Sequence, residues 1–345
     1  MSPYILFIML MSLGLGTTLT FASSNWLLAW IGLEINTLAI IPLMARQHHP
    51  RAVEAATKYF ITQTAAAALL LFTSLINAWQ SGQWLIQDMS MPISALMTLA
   101  ISIKLGVAPM HFWLPEVMQG ITLNTGLILA TWQKLAPLAL LYQISNGLMP
   151  ELMIILGLMS TIIGGWGGLN QTQIRKIMAY SSIAHLGWII SIMHFMPTLA
   201  IINLAIYIIM TTTMFMTFNT MNSTSINMLA MNWSKFPILA AITMLTLLSL
   251  GGLPPLLGFL PKWLILQELA NQGLMFTATI IALSALLSLY FYLRLSYSLT
   301  TTITPNTHTQ MFNWNIKTKT NFILPMMTII TISMLPISPS IISLF

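Results

Sequence analysis

Four charged residues sit inside apolar runs where a charge is costly: Glu34, Lys104, Lys134 and Lys262. A buried carboxylate either pairs or takes up a proton. Desolvation disfavours the charged form of a lysine and an approaching carboxylate restores it, so one carboxylate among several lysines can load and unload protons. Lys262 belongs to LGGLPPLLGFLPKW, Leu250 to Trp263, where Pro254 and Pro255 must break a helix. In hydrocarbon the freed backbone groups need partners in protein or cavity water. A second break, LGVAPMHFWLPE from Leu105, sets Pro109 close behind Lys104. Paired breaks beside buried charges point to an ion or proton path.

Other candidates carry less. His111 follows Pro109, and His185 lies mid-run in YSSIAHLGW. Each could relay protons near neutral pH, yet a hydrogen-bonded core histidine is the commoner reading. His48 and His49 stand in a basic loop with no further ligand at metal spacing, and read as solvated. Gly14-Leu-Gly16 lacks a third glycine and a preceding strand, and no lysine follows a glycine-rich loop, so no nucleotide site is indicated. With no cysteine, the chain supplies no thiolate for a cluster, a disulfide or a nucleophile. No catalytic residue, metal site or bound cofactor is expected. Gly164 to Gly168 (GGWGG) reads as close helix packing or a flexible helix end, and Asn170-Gln171-Thr172 as an accidental glycosylation pattern.

The elements that hold these residues must lie in a membrane. The 345 residues are 57% hydrophobic with only 5% charged, against roughly 25% charged in soluble domains, and mean hydropathy is +0.84. The chain is expected to be an all-α polytopic membrane protein, one transmembrane domain over 1–345. Apolar runs place eleven spans near 3–22, 26–45, 55–78, 92–112, 124–145, 151–169, 175–194, 198–219, 238–265, 275–297 and 323–342. The amino terminus has no basic n-region and reads as a retained span rather than a signal or transit peptide.

Eleven spans put the termini on opposite sides, which charge can test. Arg46, Arg51, Lys58, Arg175, Lys176, Lys235, Arg294, Lys317 and Lys319 all fall on the amino-terminal side; the far side has only Asp88, Glu151 and Glu268. Positive charge therefore places the amino terminus on the matrix or cytoplasmic face. The net charge of +6 reads as topological, with no dense basic run for nucleic acid. Nine of the twelve basic residues are thereby explained, and Lys104, Lys134 and Lys262 are left over. At ~1.5 Å per residue, Glu34, Lys104 and Lys134 lie roughly 12–18 Å inside their spans, near the middle of a ~30 Å layer. Lys262 stays central only if the Gly/Pro stretch runs sideways.

The two breaks, LGxxP followed by a second proline, are five spans apart. Five is odd, so the copies must be inverted. The expected organisation is a first inverted repeat over 1–145, a second over 151–297, a polar loop over 298–322 and a last helix over 323–342. Broken helices four and nine would meet near the midplane. Matching the breaks from Leu105 and Leu250 needs a one-residue gap and aligns Lys262 with Glu116.

With these landmarks, WIGLEINTLAIIP, EAATKYFITQ, KLGVAPMHFWLPEV, TWQKLAPL, GGWGGLNQTQIRKIMAYSSIAHLGW and LSLGGLPPLLGFLPKW closely resemble the antiporter-like membrane-arm subunits of mitochondrial NADH–ubiquinone oxidoreductase, respiratory complex I. The resemblance covers nearly the whole chain, and the animal mitochondrial code would account for its 27 methionines. It implies a non-redox subunit that couples NADH:ubiquinone electron transfer to proton pumping. The essential glutamate of that family falls on Glu34 and its buried lysines on Lys104, Lys134 and Lys262. NADH, FMN, iron–sulfur clusters and ubiquinone would reside in other subunits. Partners would be other membrane-arm subunits and phospholipids including cardiolipin, with no nucleic acid. The location would be the mitochondrial inner membrane, amino terminus in the matrix and carboxyl terminus on the intermembrane-space side. An autonomous monovalent cation/proton antiporter and a structural scaffold of the membrane arm are the alternatives.

Overall fold

The computed structural model describes residues 3–45, 49–86, 89–300, 322–338 and 340. Arg46, His48, Asp88, Lys317, Lys319 and most of the 298–322 loop lie outside them. The protein is an all-α polytopic membrane protein. Among the described residues there is no strand, only two isolated antiparallel bridges, Asn25 with Leu85 and Gln173 with Ser225. In chain order the helices are α1 (Pro3–Ala22), α2 (Trp26–Met44), α3 (Pro50–Ser81), α4 (Met91–Leu105), α5 (Trp113–Gly120), α6 (Leu123–Ala130), α7 (Trp132–Ile144) and α8 (Pro150–Gly168). They continue with α9 (Ile174–Met193), α10 (Pro197–Thr220), α11 (Ile226–Lys235), α12 (Pro237–Gly251), α13 (Phe259–Asn271), α14 (Met275–Thr300) and α15 (Ile323–Ser333). Among the described residues eight stretches are long and apolar enough to cross a membrane, and α4, α12 and α15 are shorter apolar helices, so each of the eleven expected spans has a helix within it.

Punctuation by proline and glycine sets the helix ends. α3, α4, α8, α10 and α12 all open at or next to a proline, whose missing N–H and fixed φ suit the first turn. Left-handed glycines follow four helices: Gly82, Gly106, Gly252 and Gly273. At Gly106 (φ 75°) and Gly252 (φ 81°) the next residue folds back in the same way. The Val107 N–H donates to the Ser102 carbonyl at 3.0 Å and the Leu253 N–H to the Leu248 carbonyl at 3.4 Å. Pro109 and Pro255 each follow their glycine by three residues and Pro115 and Pro261 by nine. The one-residue gap is therefore unnecessary: Gly252, not Gly251, is the counterpart of Gly106, and Glu116 still corresponds to Lys262.

Two features depart from the expected spans. The fifth run is interrupted at Thr131 (φ −115°, ψ −68°), which separates α6 from α7. The Thr131 hydroxyl donates to the Leu127 carbonyl at 2.8 Å, and Pro137 supplies no N–H one turn after Gln133. Between the eighth and ninth spans lies α11, capped by Ser225, with Leu229 and Asn232 buried and Met231 exposed.

Two compact units partition the chain, one from 1–160 with 190–197 and one from 161–189 with 198–345. In the first, α1 and α2 pack at glycine: a Cβ on Gly16 would lie 2.9 Å from the Gly32 carbonyl oxygen, and one on Gly32 equally close to that of Gly16. In the second, a Cβ on Gly164 would lie 2.6 Å from the Ala184 nitrogen, and one on Gly168 2.8 Å from the Phe291 ring. The GGWGG stretch is thus close helix packing.

Candidate functional site

In the first unit the expected residues gather around the break after α4. Glu34 is half-buried on α2, and its Oε2 accepts from the Thr37 hydroxyl at 2.7 Å, one turn along the helix. Lys104 is in the last turn of α4, 6% exposed, and its Nζ has no hydrogen-bond partner. It is within electrostatic reach of Glu34, yet no ion pair joins them. Neutral donors finish the break instead: the Trp113 indole donates to the Ile103 carbonyl at 3.0 Å, and Gln63 Nε2 lies 3.5 Å from the Lys104 carbonyl.

Lys134 is 3% exposed in the first turn of α7, placed there by the interruption at Thr131. Lys104 and Lys134 line one small cavity of about 20 Å³ together with Asn36, Thr37, Gln63 and Gln133. Gln133 Nε2 donates to the Asn36 backbone carbonyl at 3.2 Å, and the Trp132 indole reaches the Leu13 carbonyl at 3.4 Å, which pins α7 to α2 and α1. His111 is buried within the break; its Nδ1 is 3.2 Å from the Pro109 carbonyl, and its ring stacks near Phe112 at 4.4 Å.

In the second unit Lys262 is half-buried in the first turn of α13. Its Nζ donates to the Gly251 carbonyl at 2.8 Å and lies 6.0 Å from the centre of the Trp188 ring. The side chain runs over Gly252, where a Cβ would come within 2.9 Å of Nζ. Beyond Pro254 and Pro255 the loop turns at Gly258, which closes directly on the Ser249 carbonyl. His185 is buried on α9, its ring centre 5.4 Å from that of Tyr207.

Thr37, Asn36, Gln133 and Trp188 were not singled out by sequence. Thr37 had a usable signal, a hydroxyl three residues after a buried acid on one helix face. Asn36 and Gln133 are polar residues beside Glu34 and Lys134 inside apolar runs. Elsewhere in the first unit, exposed Lys58 pairs with Glu54 and with Glu116, each at 2.8 Å. In the second, Arg294 Nη1 donates to the Leu169 carbonyl at 2.7 Å. Among the described residues no three metal-ligating side chains converge.

The chain resembles known proteins along its whole length. Residues 23–288 match the family described as NADH:quinone oxidoreductase/Mrp antiporter, TM, and residues 289–342 match NADH dehydrogenase subunit 2 C-terminus. Over its full length the chain is 86% identical to NADH-ubiquinone oxidoreductase chain 2 of Polypterus ornatipinnis, covering 100% of both proteins. It is 61% identical to that of Squalus acanthias over 99% of each. Its fold matches a chain of respiratory complex I from Thermus thermophilus with bound aureothin, with a TM-score of 0.84 and 24% identity over 97% of this chain and 78% of that one. A chain of the Mrp complex from Dietzia sp. matches with a TM-score of 0.75 and 19% identity, over 82% and 58% respectively.

Proposed function

Because the chain belongs to the NADH-ubiquinone oxidoreductase chain 2 family, whose members are antiporter-like proton-translocating subunits of complex I, we propose that Glu34, Lys104, Lys134 and Lys262 form its proton relay. The other complex I subunits are its partners. Moving one proton against about 180 mV costs roughly 4 kcal/mol, at ~2.3 kcal/mol per 100 mV. Nothing in the sequence supplies a nucleotide, flavin or cluster site to provide it. Quinone reduction elsewhere in the complex shifts the charge balance between Glu34 and Lys104, Lys134 relays, and Lys262 connects onward. The observation that carries the relay is that Lys104 and Lys134 line one buried cavity. His111 and His185 are secondary, each packed against an aromatic ring.

The chain acts as a non-redox subunit in the mitochondrial inner membrane, with its amino terminus in the matrix and its carboxyl terminus toward the intermembrane space, as the one-sided lysines and arginines support. The two matching breaks support inverted repeats, and the apolar outer faces support phospholipid contact, cardiolipin included. Substituting Lys134→Met in the assembled complex tests the relay. Proton pumping and NADH oxidation both fall while assembly stays normal; an unchanged proton-to-electron ratio overturns the relay and favours a scaffold.

An autonomous cation/proton antiporter is the second reading, favoured by the fold shared with the Mrp complex. Reconstituting the purified chain in vesicles separates the two. Sodium- or potassium-driven proton flux from the chain alone would sink the partner-driven relay.

A further inference from the structure

Lys262 has no carboxylate to answer its charge. The second unit contains a single acidic side chain, Glu268. Glu268 is six residues further along α13, about 9 Å by helical rise and on a different face, and its Oε1 accepts from Gln272 Nε2 at 3.0 Å. Both ion pairs among the described residues belong to Lys58. A half-buried ammonium in a membrane still needs partners. Two are at hand. One is the Gly251 carbonyl, 2.8 Å from Nζ at the negative end of α12. The other is the face of Trp188, whose ring centre is 6.0 Å from Nζ, at the outer reach of a cation–π contact.

The indole is held in place by its own helix. Trp188 is 3% exposed on α9, and the turn before it is fixed on two sides. A Cβ on Gly164 would lie 2.6 Å from the Ala184 nitrogen, and the His185 ring centre is 5.4 Å from that of Tyr207 on α10. The two breaks use tryptophan in opposite ways. After α4 the Trp113 indole itself donates to a helix-end carbonyl, that of Ile103. After α12 the lysine donates and the tryptophan offers its face.

We propose that Trp188 is a positioning residue for Lys262: its indole face holds the ammonium on the Gly251 carbonyl, in the place a carboxylate would otherwise take. The inference rests on the relay and adds to it a residue that carries no proton itself. An aromatic face attracts a cation through its quadrupole and has no such attraction for a neutral amine. Neither the ring nor the carbonyl takes up a proton, so Lys262 can pass its proton on without stranding an unpaired carboxylate in the membrane. Without the ring the ammonium keeps one partner instead of two. The side chain then leaves the end of α12 more readily, and transfer through Lys262 slows.

Variants of the assembled complex test this: Trp188→Leu, Trp188→Phe, Lys262→Met, and Lys262→Gln alone and together with Trp188→Leu. Proton pumping falls about tenfold in Trp188→Leu, equal to about 1.4 kcal/mol and within the range of a cation–π contact. Trp188→Phe keeps an aromatic face and recovers most of it; phenylalanine no better than leucine overturns the proposal. Thermal inactivation shows whether the ring acts on the charge. Lys262→Gln leaves a donor for Gly251 but no cation, so adding Trp188→Leu to it lowers the inactivation temperature by clearly less than Trp188→Leu does alone. Equal drops in the two backgrounds mean that Trp188 only packs, and the proposal fails. It fails too, with the relay left standing, if Trp188→Leu pumps at the unmodified level while Lys262→Met abolishes pumping. Unmodified pumping in Lys262→Met removes Lys262 from the relay and the proposal with it. Should Trp188→Leu not assemble, a density map of the unmodified complex decides. The ammonium on the Gly251 carbonyl and over the indole supports the proposal, and a lysine turned from the ring toward a carboxylate of a neighbouring subunit overturns it.

Discussion

The Lys262 ammonium donates to the Gly251 carbonyl, so a cation closes the broken end of α12. The matching break after α4 is closed by neutral groups, Trp113 and Gln63, and there Lys104 is left facing a cavity. One backbone device thus serves two purposes. In one unit it frees a lysine, and in the other it engages one. Helix ends favour this, because their last carbonyls lack partners and carry partial negative charge.

Lys262→Met leaves the Gly251 carbonyl without its donor and costs about 1–3 kcal/mol. Thermal inactivation of the assembled complex falls to lower temperature. Lys262→Gln restores a donor and recovers much of that stability but not pumping, which separates the capping role from the proton role. Equal loss of stability in both variants would refute the cap.

Gly252→Ala is more damaging than Gly82→Ala, although both glycines have positive φ. Each substitution incurs a left-handed backbone cost of about 1–2 kcal/mol. At Gly82 a Cβ meets open space, whereas at Gly252 it meets the Lys262 side chain. Complex assembled at normal levels with Gly82→Ala and at reduced levels or reduced activity with Gly252→Ala is the expected pair of results.

Thr37→Val removes the hydroxyl that donates to Glu34 Oε2 while keeping the side-chain shape. Hydrogen bonds to charged groups are worth about 1.5–3 kcal/mol, so Glu34 loses the contact that fixes its Oε2 and turnover of the assembled complex slows. Thr37→Ser retains the donor and retains activity. Serine and valine behaving alike would show that the bond has no part in function.

Lys58→Met, in contrast to Lys134→Met, leaves assembly and turnover close to normal at physiological salt. Its partners Glu54 and Glu116 are exposed like itself, and exposed ion pairs contribute little and are screened. Activity measured across a salt series shows little difference between Lys58→Met and the unmodified complex.

The sequence was most informative where proline or glycine punctuates an apolar run. Pro109, Pro254 and Pro255 could be placed at breaks because no helix continues through them unaided. The interruption at Thr131 has no such mark, since Pro137, the nearest one, falls six residues later inside α7. Helix α11 escaped notice because ten residues make a short amphipathic segment, not an apolar run. Burial of Lys104 and Lys134 followed from their distance to the ends of apolar runs. The attachment of Lys262 to Gly251 did not, because the loop between them decides where that lysine turns. Likewise, residue spacing on α2 and α4 put Glu34 and Lys104 at similar depth, but whether they touch depends on how far apart those helices pack.

The shortness of the broken helices also bears on how the chain enters a membrane. α4 and α12 have 15 residues each, about 22 Å of helix against a ~30 Å hydrocarbon layer. Neither segment can be threaded into lipid alone without exposing its left-handed end and unpaired carbonyls. α3 covers α4, and α14 covers α12. α10, made before α12, also meets it, since the Thr246 hydroxyl donates to Met214 Sδ at 2.9 Å. The second broken helix is therefore held between a segment made before it and one made after it, and its cover is incomplete until α14 has followed.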